Sequence, residues 1–198
     1  MRFPKRNIMT NLKNINKSIK YKQYDNQFKP HGLWYSLFGS WYKHIESNKE
    51  NPLKKYIHKL SIFNNKLTDL KHPDPDKILV LNNYDDVKRF TIKYRVKRVK
   101  SVKMHTKPIH KIYIDSTRIN WKKVANDYGG IEFNPYFSMT RMVFDEGETN
   151  LELYTWYTSI DIESGCIWNI NSILKDSQIV YIKDKKDKYL KQSRPILK

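Results

Sequence analysis

The chain has a single cysteine, Cys166, among 198 residues. One thiol cannot close an internal disulfide, and Cys-rich zinc sites need several, so both frameworks are excluded. Such a chain is expected to work in a reducing compartment. Glycine is also scarce, at six residues, and no Gly-rich phosphate loop is present. No stretch approaches the roughly 18 apolar residues that a membrane-spanning helix needs. The basic start "MRFPKRNIMTNLKNINKSIKYK" has no apolar h-region after it, so neither a secretory signal nor a membrane partner is expected. Histidines 31, 44, 58, 72, 105 and 110 contain no HExxH or other close ligand pair, and no metal is expected.

Acidic residues are the other shortage. Lys and Arg number 38 against 20 Asp and Glu, for a formal net charge of +18. The excess sits in three blocks, residues 1–30 at +7, 93–111 at +8 and 175–198 at +5, whereas residues 112–174 are −5. Basic blocks of this kind fit a nucleic acid or a nucleic-acid-bound protein as partner. They fit solvated lysine equally well, because the chain is rich in Lys, Asn, Ile and Tyr throughout. In the middle block, "KYRVKRVKSVKMHTKPIHK" sets Val96, Val99, Val102 and Met104 among cations. The three-residue spacing suits an exposed loop or hairpin arm that follows a phosphate backbone. Arg95, Lys97, Arg98, Lys100 and Lys103 are its nucleic-acid-binding candidates. No zinc-finger, RNP or helix-turn-helix signature accompanies them, so binding is expected to be weakly sequence-specific.

Aromatic side chains are plentiful, at 14% with five Trp, which is enough for the core of one ordinary domain. Short runs rich in β-branched and aromatic residues predict strands at 32–36, 59–63, 77–81, 111–114, 130–133, 165–168 and 179–182. "KHPDPDK" at 71–77 reads as a turn. "NNYDDVKRFTIKY" and "RINWKKVANDYGG" predict helices, the second stopped by Gly129-Gly130, and "SWYKHIESNKENPLKKYIHKL" predicts a partial one. Strands interleaved with a few helices, without βαβ alternation, indicate a single α+β domain over residues 1–183. Residues 184–198 read as a basic tail.

Two segments could carry chemistry. "WYTSIDIESGCIWN" (156–169) holds Cys166 with no neighbouring cation to lower its pKa, so a buried packing role is expected. Asp161 and Glu163, two apart, would share one face of a strand and could line a cleft; a solvated turn is the other reading. "KPHGLWYSLFGSW" (29–41) surrounds Ser36 and Ser40 with Trp34, Tyr35 and Trp41. Aromatic walls with a few hydroxyls suit a planar ligand such as nicotinamide or adenine, and suit a core edge equally.

Three ordered motifs, "KPHGLWYS" with Trp41, "INWKKVANDYGGI" and "WYTSIDIESGCIWN", span roughly residues 29–173. Together they resemble a family of proteins from phages and large DNA viruses, and that family resembles the ADP-ribosyltransferase fold. The resemblance implies two small, mostly antiparallel sheets around a cleft, NAD as co-substrate, and a location in a host cell or virion. It implies that Asp161 or Glu163 supplies the catalytic carboxylate. Ser36 would position the substrate, with Trp34, Tyr35 and Trp41 as the pocket wall. Arg2 would contact the dinucleotide where family members carry His, and Pro4 stands where they carry Ser. A carboxylate beside the ribose would stabilise the positive charge that develops as nicotinamide leaves. The alternative is a non-enzymatic, virion-associated nucleic-acid-binding protein.

Overall fold

The computed structural model describes residues 3–25, 27–48, 54–103, 111–184 and 188–192, with the side chains of all of these except 48, 97–103, 111–116 and 139. The strands are β1 (Arg6–Thr10), β2 (Leu33–Leu37), β3 (Tyr56–Ile62), β4 (Leu67–Thr68), β5 (Asp74–Leu81), β6 (Arg95–Lys103), β7 (Lys111–Ile119), β8 (Tyr128–Phe133), β9 (Ser164–Ile167), β10 (Leu174–Lys183) and β11 (Tyr189–Lys191). Each apolar run identified in the sequence overlaps one of them. The helices are α1 (Ser40–Asn48), α2 (Tyr84–Tyr94), α3 (Trp121–Asp127), α4 (Met139–Phe144) and α5 (Ile170–Ile173). The class is α+β, with more strand than helix.

Nine strands form one sheet in the order β11-β10-β3-β1-β2-β9-β8-β5-β4, and β6 and β7 form a separate two-stranded ribbon. Pairing is antiparallel except at β4–β5 and β5–β8. The expected pair of small sheets is thus replaced by one broad sheet and a ribbon. The sheet runs unbroken because β2 pairs with β1 on one side and β9 on the other. This arrangement makes neighbours of the three segments that matter most. β1, the Trp34 strand and the strand after Asp161 and Glu163 lie side by side.

Local chemistry accounts for several boundaries. Asn83 caps α2 by accepting from the Asp86 amide, and Asp85 and Asp86 occupy the first turn, where carboxylates favour the positive end of the helix dipole. α3 ends at Asp127, before Gly129-Gly130, and both glycines lie inside β8. A Cβ at Gly129 would meet the Pro75 carbonyl and the Ile173 side chain, so close packing against β5 and α5 explains this residue better than a helix stop. The turn expected over 71–77 is shorter than the sequence implied, since β5 begins at Asp74. Basic residues expected to form a tail from 184 instead supply β11, which pairs with Tyr181–Lys183 of β10. The basic block after α2 is a hairpin ribbon, paired in regular register from Arg95↔Ile119 to Lys103↔Lys111.

Strand alternation divides the sheet into two faces. Leu33, Tyr35 and Leu37 of β2 pack with Leu60, Ile78, Ile167 and the α5 residues Ile170 and Ile173 on one face. Trp34 and Ser36 belong to the other face, which two clusters cover. The larger gathers Val87, Phe90, Trp121, Val124, Trp156 and Trp168 over Leu79, Ile131 and Cys166. The smaller consists of Met9, Ile57 and Tyr181, with Trp41 and Ile45 of α1 packed against it. Between the two clusters lies a seam along β2.

Candidate functional site

The seam opens into a groove of about 380 Å³ lined by Lys29, Trp34, Trp41, His44, Ile45, Ile160, Asp161, Ile162 and Ser164. One wall is α1, where Trp41, His44 and Ile45 share a face through their three- and four-residue spacing. The facing wall is the segment leading into β9. The Glu163 carbonyl holds that segment in place by accepting from the Leu37 amide at 3.2 Å and from Ser40 Oγ at 2.7 Å. Trp34 and Ser164 come from the neighbouring strands β2 and β9. The Trp34 indole N–H donates to the Pro30 carbonyl at 3.2 Å, which fixes the ring, and Lys29 Nζ lies 5.7 Å from its centroid. Two indoles, a lysine, an imidazole and a carboxylate therefore converge on one opening.

A second groove of about 490 Å³ adjoins the first, sharing His44 and Ile162 and adding Phe38, Lys43, Ser47 and Glu163. Both acids are felt by Tyr136. Burial first, then the Asp161 and Glu163 carboxylates, raise its phenol above the ordinary range. Its ring stacks on Tyr157 with centroids 5.3 Å apart.

Of the residues singled out in the sequence, Trp34, Trp41 and Asp161 line one groove and Glu163 lines the next. Ser36 and Tyr35 do not line either, which corrects the expectation for both. Ser36 is fully buried and donates to Asn7 Oδ1 at 2.7 Å, because β1 pairs Asn7 directly with it. Tyr35 points to the opposite face, where its hydroxyl donates to Glu132 Oε2 at 2.8 Å. Arg6 completes that arrangement, giving Nε to Glu132 Oε2 at 2.7 Å and a second N–H to Oε1 at 3.1 Å. Burial, followed by the Glu132 carboxylate, pushes the Tyr35 phenol well above its usual value. Arg2 lies outside the described residues. Arg6, the cation that β1 does supply, is engaged by Glu132, so Lys29 is the cation at the groove.

Cys166 is buried, and burial pushes its thiol well above the usual range, so it stays protonated and packs within the core. On the ribbon, Arg95 is exposed, and the side chains of Lys97, Arg98, Lys100 and Lys103 lie outside the described ones. Among the described residues, no three His, Cys, Asp or Glu gather as a metal site, and no helix is long and apolar enough to cross a membrane.

Sequence reasoning did not single out Lys29, His44, Tyr136 or Ser164. For two of them a signal existed. Lys29 opens the KPHGLWYS motif, and His44 follows Trp41 at helical spacing. No such pattern marks Tyr136, which reaches the acids through tertiary packing. No protein-family model, curated protein or solved structure matches this chain. The functional reading rests accordingly on the chemistry of the groove.

Proposed function

We propose that the groove between Trp34 and Trp41 binds a nucleotide, and that the protein uses NAD as a co-substrate in an ADP-ribosyltransferase-like reaction on a macromolecular acceptor. The observation that carries this reading is the convergence of two indoles, Lys29 and Asp161 on one opening. Indole faces suit a planar base, a lysine suits a phosphate, and a carboxylate suits a sugar carbon that becomes positive. A volume of about 380 Å³ falls within the roughly 300–1,000 Å³ of small-molecule sites and is sized for one half of a dinucleotide. The transfer breaks the ribose–nicotinamide C–N bond, the electron pair leaving with nicotinamide, and joins that ribose carbon to an acceptor oxygen or nitrogen whose proton passes to water.

Asp161 is the preferred carboxylate because it shares the groove with both indoles, whereas Glu163 lies one groove away. Ser164 also lines the groove, but it is buried and its hydroxyl donates to the Ile162 carbonyl at 3.0 Å, so it serves as wall. Asp161→Asn is expected to slow NAD cleavage about 10²- to 10³-fold, the usual cost of removing one transition-state stabiliser. Asp161 is exposed, so thermal unfolding should be unchanged. Cleavage of NAD by purified protein, followed by nicotinamide release, tests this. Full turnover by an Asp161→Asn, Glu163→Gln double variant would remove the mechanism, and a wild-type protein that neither binds nor cleaves NAD would remove the function.

A further inference from the structure

The ribbon β6–β7 stands apart from the nine-stranded sheet and is not used by the groove. Its two strands are each nine residues long and fully paired. Basic residues occupy seven of these positions (Arg95, Lys97, Arg98, Lys100, Lys103, Lys111 and Arg118) against one acid, Asp115. Nine residues at roughly 3.4 Å each give an arm of about 30 Å. That length matches the rise of roughly nine base pairs. A two-stranded ribbon also has the cross-section that the major groove of B-form DNA admits, whereas the A-form RNA major groove is too narrow and deep.

The base of the ribbon is tied to the two segments that lead into the groove at Lys29 and at Ile160–Asp161. On one side, Ile119 donates its amide to the Gln27 carbonyl at 3.3 Å, Trp121 Nε1 donates to the same carbonyl at 3.0 Å, and the Arg118 guanidinium lies 2.9 Å from the Phe28 ring centroid. Lys29 of the groove follows directly in the chain. On the other side, the Thr117 amide donates to Thr155 Oγ1 at 2.7 Å, and Thr155 Oγ1 donates back to the Thr117 carbonyl at 3.2 Å. That segment continues into Ile160 and Asp161. Ribbon and groove therefore share one foundation.

We infer that the β6–β7 ribbon is a docking arm for duplex DNA. That the docked duplex is also the acceptor of the transfer rests on the reading of the groove; the docking itself does not.

The test is binding of the full chain to a fluorescent 20-base-pair DNA duplex over a series of salt concentrations, without NAD. Changing Arg95, Lys97, Arg98, Lys100 and Lys103 to Glu is expected to weaken binding at least about 100-fold at moderate salt and to flatten the salt dependence. A control changes five exposed lysines elsewhere, Lys54, Lys55, Lys59, Lys175 and Lys191, on and beside the strands at the other edge of the sheet. It should lose less than about tenfold through the general change of charge. A neutral variant, Lys97, Arg98 and Lys100→Gln, settles the matter if the five-fold reversal impairs folding, and should bind about tenfold more weakly or worse. Equal losses in the ribbon and control variants, or RNA duplex bound as tightly as DNA, would overturn the inference. Asp161→Asn should bind DNA like wild type. Intact docking by a wild-type protein that does not cleave NAD would sink the groove reading alone.

Discussion

Trp34 and Tyr35 are adjacent in sequence and end on opposite faces of the same strand, in surroundings of opposite character. The Tyr35 face holds a buried polar cluster in which Arg6, Tyr35 and Glu132 satisfy one another. The Trp34 face holds an open groove where Lys29, His44 and Asp161 meet solvent. Gly165 makes the closed cluster possible, because a Cβ there would strike the Tyr35 ring, which crosses over β9 to reach Glu132 on β8. Charged groups alone therefore do not mark a site. What separates the faces is exposure, since Arg6, Tyr35 and Glu132 are buried whereas Lys29, His44 and Asp161 are exposed.

The largest effect expected from this contrast is on stability. Glu132→Gln removes the charge that compensates Arg6 inside the sheet, and breaking a buried pair from one side typically costs about 3–5 kcal/mol. Urea denaturation should show that loss. The double variant Arg6→Met, Glu132→Leu should recover a large part of it, since no lone charge stays buried. Nucleotide binding by the folded fraction should be unaffected. If Glu132→Gln instead left stability intact and abolished nucleotide binding, the closed cluster would belong to the site and the contrast would fail.

A smaller, paired effect sharpens the contrast within the Trp34 face. Trp34→Leu should weaken binding of ADP-ribose by about 1–3 kcal/mol, the typical value of one base–aromatic stack, with little change in stability. Ser36→Ala should do the reverse. It leaves Asn7 Oδ1, buried with its residue, without its 2.7 Å donor, and an unsatisfied buried acceptor costs about 1–3 kcal/mol of folding free energy. Titration calorimetry alongside denaturation separates the two. Ser36→Ala losing affinity at unchanged stability would return the hydroxyl to the groove.

Much of this was legible in the residues, but only to the level that local pattern reaches. Apolar runs marked the strands, Asn83 and its following acids marked α2, and the placement of Cys166 in the core followed from its apolar surroundings. Alternation could say that Trp34 and Tyr35 face opposite ways, yet not which face would be open. That depends on α1 folding back over β2 and on the 160–163 segment being tied to it through the Glu163 carbonyl. Ser36 was misjudged for a similar reason, because its partner Asn7 lies 29 residues away and belongs to a strand whose short, polar sequence gave little signal. Gly129-Gly130 looked like a helix stop, since close approach between strands leaves the same residue type as a turn does.

The smallest expected effect tests whether the closed face is as fully satisfied as the Arg6 cluster suggests. His58 on β3 is 1% exposed, and one ring nitrogen, Nε2, lies 3.0 Å from the Leu12 carbonyl. A carbonyl only accepts, so Nε2 carries the proton and donates, leaving Nδ1 as a buried acceptor with no partner. Its cross-strand neighbours, Ile8 and Ile179, are aliphatic. Burial, offset in part by the Leu12 bond, lowers the His58 pKa below 6.5. The unfolded chain then takes up a proton at higher pH than the folded one. Stability from this residue is complete above about pH 6.5 and is lost as pH falls from there toward the depressed folded value. Glu148 acts in a separate window. Although burial opposes it, hydrogen bonds from Tyr84, the Asn150 amide and Tyr154 take its pKa down to about 2, so its contribution is lost only below about pH 4.5. Urea midpoints between pH 8 and pH 5 should therefore fall for wild type and stay flatter for His58→Gln, which keeps a donor for Leu12 and cannot titrate. Parallel curves for the two proteins would mean that the orphaned nitrogen finds a partner on protonation, and the closed face would then hold a second polar arrangement beside the Arg6 cluster.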